Sequence, residues 1–192
     1  MYQKRLFNNS MVISIPDDYE DADYFNKTEN NEASFTNVET EETMTITVFT
    51  ASNHWNPYRF HFEELADFNN AVPFRINSIG KIVNDELIPN LPSTAQAFYA
   101  SGEQWLIDEA EGLKTHQIKR DRSDTFMVVF RVYEVHLDIV ITSTVAVEDD
   151  APHIEWNSKI KQTTPTTKSE RTLLNLLKSI ESFEVLDWQK IL

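Results

Sequence analysis

Thr125–Val147, TFMVVFRVYEVHLDIVITSTVAV, is the stretch on which the fold turns. It holds the most apolar run of the chain, Phe126 to Val147, but Arg131, Glu134, His136 and Asp138 interrupt it. Charges at those places are too costly for a membrane span. The run is also too long for an ordinary strand of about five or six residues. It divides near Glu134 to His136 into two antiparallel strands, although no Asn-Gly pair marks a turn there, and a bulge or a displaced turn fits the pattern as well.

Other strands surround this pair in the sequence. Ser10 to Ile15 alternates Met11, Ile13 and Ile15 with polar or small residues and stops at Pro16, which has no N–H to give a ladder. Asp17, Asp18, Glu20, Asp21 and Asp23 then crowd a loop. Ala33 to Val38 leads through Glu39, Glu41 and Glu42 into Thr43 to Ala51, where Met44, Ile46 and Val48 alternate with threonines suited to a half-exposed face. Phe74 to Val83 reads as a strand, and the PNLP of Pro89 to Pro92 as a turn. Ala95 to Ser101 and Gln104 to Glu109 read as a hairpin about Ser101-Gly102.

Helices are expected at three places. Asn56-Pro57 offers an N-cap and a first-turn proline. After it, Tyr58, Phe62, Leu65 and Phe68 fall at helical spacing and define a core face. Arg59, Glu63 and Asp67 lie on another face, with His61 and Glu64 near its edges. Pro152 to Ile160 suits a short helix, followed by a threonine-rich loop, QTTPTTK, at Gln162 to Lys168. Leu173, Leu176, Leu177 and Ile180 repeat at i, i+3, i+4, i+7 and mark a packed closing helix. Many antiparallel strands with helices to cover them make an α+β domain, and 192 residues with 41% hydrophobic content suffice for one substantial core.

The chemistry is as informative for what it lacks. There is no cysteine, which removes disulfides, thiolate metal sites and thiol nucleophiles and is compatible with a reducing compartment. MYQKRLFNNS is followed by no apolar signal segment, so export is not expected. The formal charge of −14, from 31 acids and 17 bases, repels phosphate backbones and anionic lipid, so neither nucleic acid nor membrane is an expected partner. The same field can steer a basic protein partner, though most acidic proteins use such charge only for solubility, and charge alone favours that plainer reading. Neither a G-x-x-x-x-G-K-[ST] nor a G-x-G-x-x-G run occurs, and only Gly80, Gly102 and Gly112 exist to let backbone approach a phosphate. The histidines at 54, 61, 116, 136 and 153 form no metal-binding pair; His61 with Glu64 shares a helix face but lacks a third ligand. No cofactor, metal or catalytic centre is expected.

Several segments, in order, resemble the family of Ran guanine-nucleotide release factors. LFNNSMVISIP is similar to that family's opening Leu-Phe-Gly-Gly strand, with Asn8 and Asn9 in place of the glycines. Tyr19 and Asp21 match the aromatic and acid after its proline, and Asn31-Glu32 the polar-acid pair before the next strand. Phe60, His61, Glu63 and Glu64 fall on an F/Y-H-x-E-D stretch. AQAFYASGEQ resembles a strand before a glycine, LDIVIT the second strand of the late pair, and LLNLLKSIESFEVLD the closing helix and short strand.

The resemblance implies a three-layer αβα sandwich with a central, mostly antiparallel sheet of the PsbP-like type. It implies a monomeric protein of nucleus and cytoplasm that binds the GTPase Ran, GTP-bound or nucleotide-free, and promotes guanine-nucleotide release for nuclear protein import. Carried over by position, the partner-binding residues are Asp21, Glu32, Thr47, Thr50, His61, Glu63 and Glu64; Asp67 joins them as an acid held by the same helix. Thr47 and Thr50 stand where the family commonly has two acids. The alternative is a PsbP-like cytosolic adaptor or chaperone without exchange activity.

Overall fold

The computed structural model describes residues 1–22, 31–83, 87–92, 94–108 and 119–191. Asp23, Glu109, Gly112 and His116, named above, lie outside them. The strands are β1 (Tyr2–Leu6), β2 (Met11–Ile15), β3 (Glu20–Asp21), β4 (Glu32–Asn37) and β5 (Glu42–Thr50), followed by helix α1 (Pro57–Phe68). Next come β6 (Phe74–Ile82), β7 (Ala95–Asp108), β8 (Lys119–Val132), β9 (Leu137–Val147), helix α2 (Lys168–Ser182) and β10 (Glu184–Val185). A seven-stranded sheet has the order β3-β4-β5-β9-β8-β7-β6, and β1-β2-β10 form a second, three-stranded sheet. Every pairing among these strands is antiparallel.

The division of TFMVVFRVYEVHLDIVITSTVAV is confirmed. β8 stops at Val132, the turn runs through residues 133–136, and β9 returns with Val132 opposite Leu137. His136 supplies the left-handed residue, φ 54°, that an Asn or Gly would ordinarily give. β8 begins earlier than expected, at Lys119.

Both faces of the long pair are buried, because period-two alternation sends successive side chains to opposite layers. Phe126, Val128, Phe130, Ile139 and Ile141 face a large core shared with β2 and with Leu173, Leu176, Leu177 and Ile180 of α2, all four of them fully buried. Met127, Val129 and Val140 face the other way, onto Phe62 of α1. The molecule is therefore α+β in three layers: α1, the seven-stranded sheet, then α2 with the small sheet. At the start of α2 the Thr167 hydroxyl accepts from the Glu170 N–H while the Glu170 carboxylate accepts from the Thr167 N–H, a complete capping box.

Three sequence expectations are corrected, and one strand is new. No hairpin forms at Ser101-Gly102: β7 passes through without a break, pairing with β8 from Ala95↔Val132 to Asp108↔Lys119. Gly102 serves packing instead. A Cβ there would strike the Arg75 carbonyl and come within 2.7 Å of the Phe62 ring, so the missing side chain lets β6 and α1 close onto the strand. The helix expected at Pro152 to Ile160 is only a 3-10 turn, Ser158–Gln162. Phe68 does not join the core face of α1; it is 84% exposed. β1, whose YQKRL is too polar to announce itself, forms a hairpin with β2. Asn8 and Asn9 turn that hairpin with φ of 55° and 63°, a region asparagine tolerates better than other non-glycine residues, which explains how they stand in for a glycine pair.

Candidate functional site

α1 opens at Pro57, where a missing N–H costs nothing. Asn56 precedes it, but its side-chain oxygen accepts from the Tyr58 hydroxyl at 2.8 Å and caps no backbone N–H. The inward side of the helix is Phe62 and Ala66, both fully buried, flanked by Tyr58 and Leu65 against Ile76 and Phe98. The outward side follows from the same periodicity: Phe60, Glu63, Glu64 and Asp67 stand at i, i+3, i+4, i+7 and form one ridge. Arg59 bonds Glu63 at 2.8 Å, an exposed i, i+4 pair worth only a few tenths of a kcal/mol. Among these acids Glu64 and Asp67 are the most exposed.

Rings extend the N-terminal end of this ridge. His54 stacks on Phe60 with centroids 4.5 Å apart, Phe60 meets His61 edge-on at 5.2 Å, and Phe49 of β5 stacks on His61 at 5.1 Å. Trp55, beside His54, is 85% exposed.

Beneath the rings lies a buried polar network. His61 Nε2 is 2.9 Å from Asp138 Oδ2, and Arg131 donates to both oxygens of the same carboxylate, Nε to Oδ1 at 2.8 Å and Nη2 to Oδ2 at 2.7 Å. Burial alone would raise the Asp138 carboxyl, but the bonds from Arg131 and His61 outweigh it and hold the group below the usual carboxylate range. Arg131 also donates to the His54 carbonyl at 2.7 Å and to Ser52 Oγ at 3.0 Å. The network joins β8, β9, α1 and the segment 51–56.

The eight residues expected to bind a partner do not form one patch. Glu63, Glu64 and Asp67 share the outer ridge. Thr47 lies on the α1 side of the sheet opposite Glu32, its hydroxyl 3.4 Å from that carboxylate, with Phe49 two residues on along the same face. Thr50 is exposed at the end of β5, opposite Leu137. His61 is turned inward, 5% exposed, and reaches the surface layer only through its contacts with Phe49 and Phe60. Asp21 lies across the sheet from α1: it pairs with Phe35, which belongs to the α2-side core, and bonds Lys4 at 2.6 Å.

A second buried polar cluster, on the α2 side, had no sequence signal. Arg122 Nη2 bonds Asp124 at 3.0 Å and approaches Glu103 at 3.6 Å, Ser169 donates to Asp124 at 2.6 Å, and His153 pairs with Glu103. Burial pushes the Asp124 carboxyl up, against the bonds from Ser169 and Arg122. Arg122 lines an open cavity of about 850 Å³ whose rim carries Glu41, Asp121, Glu148 and Asp149. Its guanidinium reaches the carbonyls of Asp149 and Ala151, so the cluster fastens the segment after β9 and the first turn of α2 to the sheet. Among the described residues no group of three or more His, Asp or Glu side chains could hold a metal ion, and no helix is long and apolar enough to cross a membrane.

The architecture is shared with known structures. A mutant form of protein Mog1 superposes with a TM-score of 0.69 at 12% identity, covering 100% of this chain and 98% of its own. The Saccharomyces cerevisiae Ran-binding protein Mog1p superposes with a TM-score of 0.67 at 12% identity, covering 98% of this chain and 97% of its own. No protein-family model and no curated protein matches the chain in sequence. The fold is thus Mog1-like from end to end.

Proposed function

We propose that this protein binds the small GTPase Ran and promotes release of its guanine nucleotide, in support of nucleocytoplasmic protein transport, without a catalytic centre of its own. The observation that carries the reading is an end-to-end fold in common with a Ran-binding protein. The ridge of Phe60, Glu63, Glu64 and Asp67 is the contact surface in this reading, with Glu32, Thr47, Thr50 and His61 beside or beneath it; Asp21, across the sheet, is a secondary contact.

Release needs no covalent step. A protein that binds the nucleotide-free GTPase more tightly must weaken nucleotide binding by the same factor, and each ~1.4 kcal/mol of that coupling is about tenfold. Carboxylates held on a helix serve this by competing with phosphate for the GTPase's lysine and magnesium, or by drawing a switch loop from its closed position. Titration calorimetry with Ran, nucleotide-free and GTP-bound, at low and high salt tests the reading. Binding that weakens with salt is expected; no heat with either form rejects it. Thr47 and Thr50, standing where acids are common, favour a second reading, an adaptor of the same fold, which predicts binding without accelerated release.

A further inference from the structure

The segment 51–56 joins β5 to α1 without regular structure, yet it is fastened at nearly every residue. The Ala51 N–H donates to the His136 carbonyl at 2.8 Å. Arg131 holds Ser52 Oγ and the His54 carbonyl. The His54 ring lies flat on Phe60, and Pro57, where the segment ends, is buried. Next to last in this segment stands an indole, Trp55, that is 85% exposed. A tryptophan has about 150–250 Å² to bury, and this one leaves most of it in water.

Two features separate Trp55 from an ordinary exposed aromatic. The carbonyl of the residue before it, His54, accepts from a guanidinium that is itself 6% exposed and paired with Asp138, so the turn is held by bonds within the free protein. Its neighbour in the chain adjoins the acid ridge: His54 stacks on Phe60, and Glu63, Glu64 and Asp67 continue that face of α1. An aromatic anchor beside an ordered row of carboxylates complements an apolar pocket bordered by lysine or arginine.

We propose that Trp55 is the anchor of the partner-binding surface, entering an apolar pocket with a basic border on the GTPase, and that Arg131 and Asp138 are positioning residues that act through it. The proposal rests on the Ran-binding reading and adds to it the residue that dominates the contact. Arg131 and Asp138 touch no partner; they fix the turn from which the indole projects.

The test is calorimetric affinity for nucleotide-free Ran with the full chain and the variants Trp55→Ala, Trp55→Phe and, as a control at another exposed position, Val83→Ala. The expected result is an affinity about thirtyfold lower for Trp55→Ala, the size of a central contact, with most of it restored in Trp55→Phe and no change for Val83→Ala. The urea midpoint of Trp55→Ala stays where it was, because the side chain supports nothing in the free protein. Arg131→Lys keeps a charge beside Asp138 but lacks the fork that reaches Ser52 and His54. Its effect on affinity is strongly reduced when Trp55 is already alanine, whereas a purely structural role gives additive losses. If Arg131→Lys does not fold, the Trp55 series alone decides. Unchanged affinity in Trp55→Ala overturns the anchor and leaves the Ran-binding reading standing; no binding by the unaltered chain overturns both.

Discussion

His61 and Asp138, 77 residues apart in the chain, meet at 2.9 Å between Nε2 and Oδ2 and join α1 to β9. Asp138 is fully buried and serves Arg131 at the same time. Its removal would leave a buried guanidinium and a buried imidazole without their acceptor. Asp138→Ala is expected to cost on the order of 3–5 kcal/mol in urea unfolding. Asp138→Asn, which keeps the shape and one acceptor, costs less. A loss of under about 1 kcal/mol in Asp138→Ala would show that the network does not hold the helix.

The same carboxyl gives a pH dependence of known sign. Its folded-state pKa lies below the ordinary aspartate value of about 3.9, so the folded protein resists its protonation. The stabilisation is present in full above that ordinary value and disappears as pH falls through the lower, folded one. Asp124 acts in the opposite sense, since burial raises it: its contribution favours the fold at low pH and is lost as pH rises through its raised value. Urea midpoints of the unaltered chain and of Asp138→Asn should therefore converge as pH is lowered below about 4. Parallel curves down to the lowest pH would remove Asp138 from the acid response.

Gly102→Ala tests the account of β7. The added methyl meets backbone at Arg75 and the ring of Phe62, neither of which can step aside without moving β6 or α1. A loss of roughly 1–3 kcal/mol is expected. Gly80→Ala should cost less, because the atoms nearest its new Cβ, at 2.8 Å, belong to the half-buried side chain of Tyr99 and not to backbone. Equal costs at the two glycines would contradict the close approach assigned to Gly102.

Much of this fold is legible in local pattern and some is not. The split of Thr125–Val147, the leucine stripe of α2 and the first-turn proline that opens α1 are all read from local pattern within a few residues, although Asn56 does not cap as its position suggests. Gly102 misleads because Ser-Gly reads as a turn, while here glycine is needed for the approach of two elements distant in sequence. Phe68 follows Leu65 by the expected three residues, but two successive i+3 steps turn it about 120° away from Phe62, off the buried face, and the ring faces water.

The candidate site divides in the same way. The spacing of Glu63 and Asp67 on one helix face is visible in the sequence, with Glu64 beside them. The network of Arg131, Asp138 and His61 joins three elements and leaves no local mark beyond unexpected charges inside an apolar run. Those interruptions are the one available signal, since a charge amid buried strand residues requires a partner.

Glu63→Lys with Glu64→Lys reverses two charges on the ridge without touching the core. Both side chains point away from the sheet, so the unfolding midpoint should move by no more than about 0.5 kcal/mol. Ran binding should fall below detection in calorimetry. Full affinity in this double variant would move the contact surface off α1.

Whether this protein is a release factor is decided by the release of a fluorescent GTP analogue from purified Ran, followed with and without a stoichiometric amount of this protein. Accelerated release that is lost in the double charge reversal is expected. Release at the intrinsic rate, with no complex on gel filtration, would contradict it.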